Sequence, residues 1–273
     1  MSASPDRPRP AARPVGARRS FAAGRAIAAL MIREMSSRYG RSPGGYVWAL
    51  LEPIGGILVL SVGFSLLLRS PPIGNSFILF FATGLLPFQL YQTLSNMVAR
   101  SIRFSRALLM YPAVTWADAV LARFLLNMLT GFLVMVLVFA LLLTVLDTHV
   151  ALDATMILRG AALAVLVGGG IGVLNCAIMG LLPIWEQIWA IATRPLFIIS
   201  GVLFLYDDMP RFAQDILWWN PLIHVTGMMR AGFYPNYNGA YLSAVYPAAV
   251  GLATLFFGVL LMSRYHREIL NGN

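Results

Sequence analysis

Apolar residues dominate six stretches of this chain, each ended by a short polar break. They run about Tyr46 to Leu68, Phe77 to Leu94, Trp116 to Leu146, Met156 to Leu182, Ile188 to Tyr206 and Tyr241 to Met262. A helix crossing a bilayer needs ~20 such residues, so the pattern predicts six transmembrane helices. The third run is longer than required and is expected to tilt or project from the membrane. Pro87 removes a backbone hydrogen bond from the second and predicts a kink. In the fourth, Gly168-Gly-Gly-Ile-Gly172 has the small-xxx-small spacing that lets helices approach closely.

Three segments depart from this pattern. From Phe21 to Tyr39, Phe21, Ile27, Ala28, Met31, Ile32 and Met35 share one face, with Arg25, Arg33 and Ser37 off it. That is a basic amphipathic helix, expected to lie at an anionic membrane surface until Ser42-Pro43-Gly44-Gly45 breaks it. The second segment, Asn96 to Pro112, is strongly basic and lies between apolar runs. On a helix, Arg100, Arg103 and Arg106 fan over an arc of roughly 120°, with Val98, Ile102, Phe104, Leu108 and Leu109 on the other side. Two readings stand: an amphipathic helix offering one face to a partner, or a basic loop that only sets topology. The third segment, Asp207 to Asn238, holds two apolar pieces, 212–219 and 222–229, split by Asn220-Pro221. Each is about half a bilayer core long as helix. A re-entrant hairpin over 209–235 and a pair of flat interfacial helices held by Trp218 and Trp219 both fit.

Composition sharpens the class: 59% of residues are hydrophobic and 11% charged. A soluble domain carries about a quarter charged residues, so this is an all-α integral membrane protein. All 20 basic residues are Arg. A phosphate-binding loop of the Walker type needs its Lys, so no such ATPase site exists in the chain. Cys176 stands alone, and His149, His224 and His266 are far apart. No metal motif or nucleophile elbow is present. Asp207-Asp208 lacks the further acids of a metal-diphosphate motif. Nothing suggests an enzyme, a metal site or a nucleic-acid partner.

Residues 1–20 form a basic Pro-, Arg- and Ala-rich tail, expected to be disordered and with no apolar run of a signal peptide. Residues 21–45 are the interfacial helix and its break, 46–263 the transmembrane domain and 264–273 the C-terminus. With six alternating spans, 14 arginines fall on the side of both termini and four on the other. The positive-inside rule then places both termini and Asn96–Pro112 in the cytoplasm. Glu52, Arg123 and Arg194 lie inside spans, where ionisable residues are costly. Asp118 and Arg123 are five apart, a poor helix pairing, so Arg123 is expected to snorkel or to meet another span. Arg194 is expected to face a channel or to pair with Glu52 or Glu186.

Four stretches resemble the type-2 ABC transporter permeases, specifically the capsular polysaccharide export branch. They are Arg38-Tyr39 with Gly45, Trp48 and Glu52-Pro53; the block from Ser70-Pro-Pro-Ile-Gly74 to Leu86-Pro-Phe88; Ser105-Arg-Ala-Leu-Leu-Met-Tyr-Pro112; and Asn220-Pro221-Leu222 with Arg230. The similarity spans about Ile32 to Leu270. It implies a homodimer in the bacterial inner membrane around one channel, above two separate ATP-binding subunits that hold ATP and Mg. It also implies a lipid-linked acidic polysaccharide as cargo, a periplasmic co-polymerase-like adaptor and an outer-membrane export protein. The related scaffolds for O-antigen, teichoic-acid-like polymers, lipids or drugs are the alternative.

In such proteins the basic segment is the coupling helix, here with Arg100, Arg103, Phe104, Arg106, Leu108, Tyr111 and Pro112 as contact candidates. The amphipathic helix is a gate or cuff at the interface, and the half-helices before the last span, with Trp218, Trp219, Asn220, Pro221 and Arg230, face the periplasm. Sugar rings offer flat C–H faces and many hydroxyls, so aromatic and amide side chains are channel candidates. Arg38, Tyr39, Trp48, Glu52, Tyr91 and Arg194 lead. Phe88, Gln89, Gln92, Trp185 and Trp189 follow, each aromatic having membrane anchoring as its alternative.

Overall fold

A computed structural model describes residues 20–39, 45–110, 114–146 and 151–271. Among them the chain is helical, with no strand. The helices are α1 (Ser20–Tyr39), α2 (Gly45–Ser65), α3 (Phe77–Ala99), α4 (Ser101–Leu109), α5 (Trp116–Val145), α6 (Ala154–Leu181), α7 (Trp185–Ala192), α8 (Leu196–Ile199), α9 (Arg211–Leu217), α10 (Pro221–Phe233) and α11 (Val245–Asn271). The expected disordered tail up to residue 19, the expected break at 40–44, and residues 111–113, 147–150 and 272–273 lie outside the described residues.

Among the described residues five helices are long and apolar enough to cross a membrane: α2, α3 continued by α4, α5, α6 and α11. Their boundaries follow local chemistry. The Ser76 hydroxyl accepts from the Leu79 amide at the start of α3, and Asp153 caps α6 through the amides of Thr155 and Met156. Thr115 and Asp118 close a reciprocal capping box at the start of α5. Asp118 is thereby committed to the helix end. Pro87 lies inside α3, which stays helical through it, and only Arg100 interrupts the run into α4.

The expected span at 188–206 differs: it is not one helix. Thr193 and Arg194 turn before Pro195, whose missing N–H and ring break the ladder. The four-residue α8 follows, then Gly201 at φ 71° sends the chain into an irregular run to Pro210. At the other end, α11 continues past the apolar run and carries Arg264 to Arg267 on its last turns.

The core is organised on α6. A Cβ on Gly168 would stand 2.8 Å from the Tyr91 carbonyl oxygen, and one on Gly172 2.8 Å from Val98, both on α3. A Cβ on Gly170 would collide with the Gly251 carbonyl of α11. Glycine thus lets α3 and α11 close on two sides of one helix. On the near half of α6, Gly160 admits the backbone of α10 at Val225 and Met229. Leu79, Leu86, Leu94, Val167, Val225 and Met229 fill the space between α3, α6 and α10. The outward faces of α2 and α11 are apolar and exposed, Val59 at 73% and Phe256 at 63% among them. An apolar solvent or a second subunit is what such faces require.

Candidate functional site

The short basic helix is the point where separate parts of the molecule meet. Ser101, Ile102 and Ser105 of α4 are buried, while Arg103 and Phe104 are exposed. Arg100 and Arg103 both reach Glu186 at the start of α7, at 3.2 and 2.6 Å. Arg106 donates to the Leu270 carbonyl at the end of α11, at 3.2 Å. Leu108 is half-buried, whereas Tyr111 and Pro112 lie outside the described residues. The arginines predicted to fan over one face therefore also bind the chain's own elements.

Beneath them lies a link the sequence reading missed. Arg123 of α5 donates to the Glu34 carboxylate of α1 at 2.9 Å, with side-chain exposures of only 9% and 5%. The same guanidinium donates to the Met97 carbonyl at 3.2 Å and lies 4.2 Å from the centre of the Phe104 ring. Arg33 of α1 lies over that ring at 5.5 Å. One buried cation thus joins α1, α3, α4 and α5. The signal was thin: Glu34 is the only acid between Arg7 and Leu51.

Above this assembly, α2, α3 and α5 line an open cleft of about 340 Å³, with Trp48 and Glu52 exposed at it. Trp48 and Glu52, one turn apart on α2, face Gln89, Gln92 and Thr93 of α3 and Asn127 and Thr130 of α5. The Asn127 amide donates to the Arg123 carbonyl at 2.7 Å. Two leading channel candidates, Trp48 and Glu52, are therefore brought together with the secondary candidates Gln89 and Gln92. Tyr91 faces elsewhere: it is 2% exposed and packs in the core. Phe88 stacks edge-on against Phe197 at 5.5 Å, and Trp185 donates to the Asn175 side chain at 2.9 Å. Trp189 lies beside Trp185, at 6.5 Å between ring centres. Arg194 is exposed in the α7–α8 turn and forms no ion pair among the described residues. Glu186, one of its expected partners, is held by Arg100 and Arg103. The side chains of Arg38 and Tyr39, at the end of α1, lie outside the described residues.

At the opposite end the polar side chains of Asn220 and Arg230 meet backbone carbonyls. Asn220 caps α10 by accepting from the Leu222 amide at 3.0 Å, and its NH2 donates to the Ile199 carbonyl at 3.0 Å and to the Ser200 hydroxyl at 3.2 Å. Pro221 stands at the first helical position, where no N–H is needed. Trp218 donates to the Tyr241 carbonyl, and the Trp219 carbonyl accepts from Tyr246 at 2.6 Å. Arg230 is 1% exposed; it donates to the carbonyls of Phe204 at 2.8 Å and Val202 at 3.1 Å and lies 4.3 Å over the Phe80 ring. These contacts hold the irregular run after α8 against α3. Asp207, on the loop just beyond, is held above the ordinary carboxylate range by burial and then by its neighbour Asp208.

The family model described as ABC-2 type transporter matches residues 25–234, most of the chain. The chain belongs to that family. It is 29% identical over 246 residues to the polysialic acid transport protein KpsM of Escherichia coli, covering 90% of this chain and 95% of that protein. It is 27% identical to the capsule polysaccharide export inner-membrane protein BexB of Haemophilus influenzae, covering 90% and 93%. With the corresponding protein CtrC of Neisseria meningitidis serogroup B it shares 25% identity over 90% and 92%. This ABC-2 permease is therefore a homologue of capsule polysaccharide export proteins. The matched region includes α4, the cleft and the Asn220–Arg230 segment.

Proposed function

We propose that this chain is the membrane-spanning subunit of an ATP-driven exporter that moves a lipid-linked capsular polysaccharide across the bacterial inner membrane. Two copies form the channel, and two ATP-binding subunits dock below α4. A periplasmic adaptor and an outer-membrane protein complete the path. Both termini are cytoplasmic, as the arginine distribution favours. The broken segment from α7 to Tyr206 supplies the fifth of six crossings. The α9–α10 pair re-enters the membrane from the periplasm. Supporting this, α10 runs antiparallel beside α6, the Gly232 carbonyl accepting from Asp153 at one end, and is about half as long.

The observation that carries the reading is the placement of α4. Its outer face offers Arg103 and Phe104 to a partner, while its other contacts reach α1, α5, α7 and α11. A push on α4 is thereby delivered to the helices around the cleft. ATP and Mg belong to the partner, because this chain has no Lys for a phosphate loop. Among the described residues no group of His, Cys, Asp or Glu could hold a metal ion. The test is deletion of the gene with complementation by the tagged chain. Loss of surface capsule with polymer retained inside, and recovery of an ATPase with the tagged chain, are expected. A normal capsule with altered drug sensitivity would instead assign the scaffold to drug or lipid export.

A further inference from the structure

We propose that Glu186 is a positioning residue for export: it ties the broken fifth crossing to α4, so that a tilt of α4 moves α7. This rests on the exporter reading, with an ATPase docked below α4. It names the side chain through which the stroke of that ATPase enters the broken crossing.

On the α4 side the tie is two-pointed. Arg100 Nε meets one carboxylate oxygen of Glu186 at 3.2 Å, and Arg103 meets the other at 2.6 Å. With both oxygens engaged, the carboxylate is fixed in orientation as well as in place. The two arginines do not ride on one unbroken helix. Arg100 is the residue between α3 and α4, at φ −96° and ψ 11°, in the bridge region of the backbone map. Arg103 lies within α4. A tilt of α4 about that break therefore carries Arg103 and, through it, Glu186.

On the α7 side little else holds the helix. None of its residues is buried, and Trp185 and Trp189 are half-buried. Apart from Glu186, the one polar side-chain tie from α7 to another helix among the described residues is Trp185 to Asn175 of α6. Both ties stand on the first two residues of α7. Its other end runs into Thr193, Arg194 and Pro195, where the helical ladder stops. The four-residue α8 follows, and then Gly201 at φ 71°. A short helix tied at one end and broken at the other swings when its tied end is pulled.

The tie is also too exposed to serve the fold. Side-chain exposure is 56% for Arg100, 64% for Arg103 and 27% for Glu186. Ion pairs of that kind add little to stability and part and re-form readily. Yet Glu186 is the only acid between Asp153 and Asp207, and it stands where two arginines reach it. A weak, exchangeable and directional contact suits a moving joint.

The test is hydrogen–deuterium exchange on the chain purified with its partner ATPase in lipid nanodiscs, without nucleotide and trapped with ADP and vanadate. On trapping, the amides of α7 are expected to change their exchange rate by about threefold or more. Glu186→Gln keeps the shape and removes the charge; it is expected to abolish that change. Partner recovery and melting temperature should stay at the parent's values. In cells, surface capsule is expected to fall about fivefold in Glu186→Gln and to be kept in Glu186→Asp. An α7 response that survives Glu186→Gln overturns the proposal. So does earlier melting of that variant, which would make the acid structural, or loss of its partner, which would make it a docking residue. If no ATPase accompanies the parent chain, the exporter reading falls first. An ATPase that accompanies a parent chain whose α7 does not respond overturns this proposal alone.

Discussion

Arg123 and Arg230 are both buried arginines, and the molecule treats them in opposite ways. Arg123 meets a carboxylate, Glu34, contributed by a helix 89 residues earlier in the chain. Arg230 meets two carbonyls, those of Val202 and Phe204, and the face of Phe80. An ion pair between separate helices can part and re-form with another anion or with phosphate. Carbonyls of an irregular run have no such exchange open to them, since the backbone would then lose its only partners in an apolar surrounding. The α4 end therefore has the chemistry of a joint, and the α10 end that of a wedge.

That contrast can be broken first at the wedge. Arg230→Ala leaves two buried carbonyls unsatisfied and opens a void, and is expected to cost about 3–5 kcal/mol. Little folded protein should elute from size-exclusion chromatography in detergent, and a wild-type melting profile would refute the wedge. At the joint, Glu34→Gln strands the Arg123 guanidinium and is expected to cost about 3 kcal/mol in thermal unfolding. The double variant Glu34→Met with Arg123→Met should recover most of that loss yet reduce ATPase-coupled export. Full export in the double variant would show the pair to be packing alone.

The exposed arginines probe the same end more gently. Arg103→Glu with Arg106→Glu is expected to cost about 1–3 kcal/mol, because Arg103 pairs with Glu186 in solvent while Arg106 loses its bond to the Leu270 carbonyl. Recovery of the partner ATPase should nevertheless fall sharply; unchanged recovery would reduce α4 to a topology signal. The smallest effect is expected at Asp207, whose folded-state pKa is raised by burial. Such a group favours folding while protonated at acid pH, and this contribution is lost as pH rises through the folded value. Asp207→Asn should therefore raise the melting temperature slightly at neutral pH and not at acid pH. A gain at both would assign the effect to something other than ionisation.

The long apolar runs were readable because a bilayer demands the same thing of every residue in a span. Trp116 and Met156 were each placed within two residues of the observed starts of α5 and α6. Thr115 and Asp153 stop the chain there by local hydrogen bonds, which need no tertiary contact. The run from Ile188 to Tyr206 misled because hydropathy averages over Pro195 and Gly201, where the backbone leaves the helix. Arg264 to Arg267 ended the apolar pattern without ending the helix, since charged residues extend α11 as readily as apolar ones once the membrane is behind them. In the cleft, Trp48 and Glu52 were foreseeable as neighbours one turn apart, while Thr130 and Asn127 carried no mark.

What the sequence determined by itself is everything that follows from solvent and neighbours along the chain. That includes the all-helical class, the apolar runs that become the five long helices among the described residues, and the short basic helix α4. What the tertiary structure alone decided is which distant groups share a space: Glu34 with Arg123, Glu186 with Arg100 and Arg103, Gln89 with Glu52. The physical reason is range. Hydropathy and capping act within one helix, whereas an ion pair or a cavity exists only after separate helices have packed, and here that packing is set by glycines on α6.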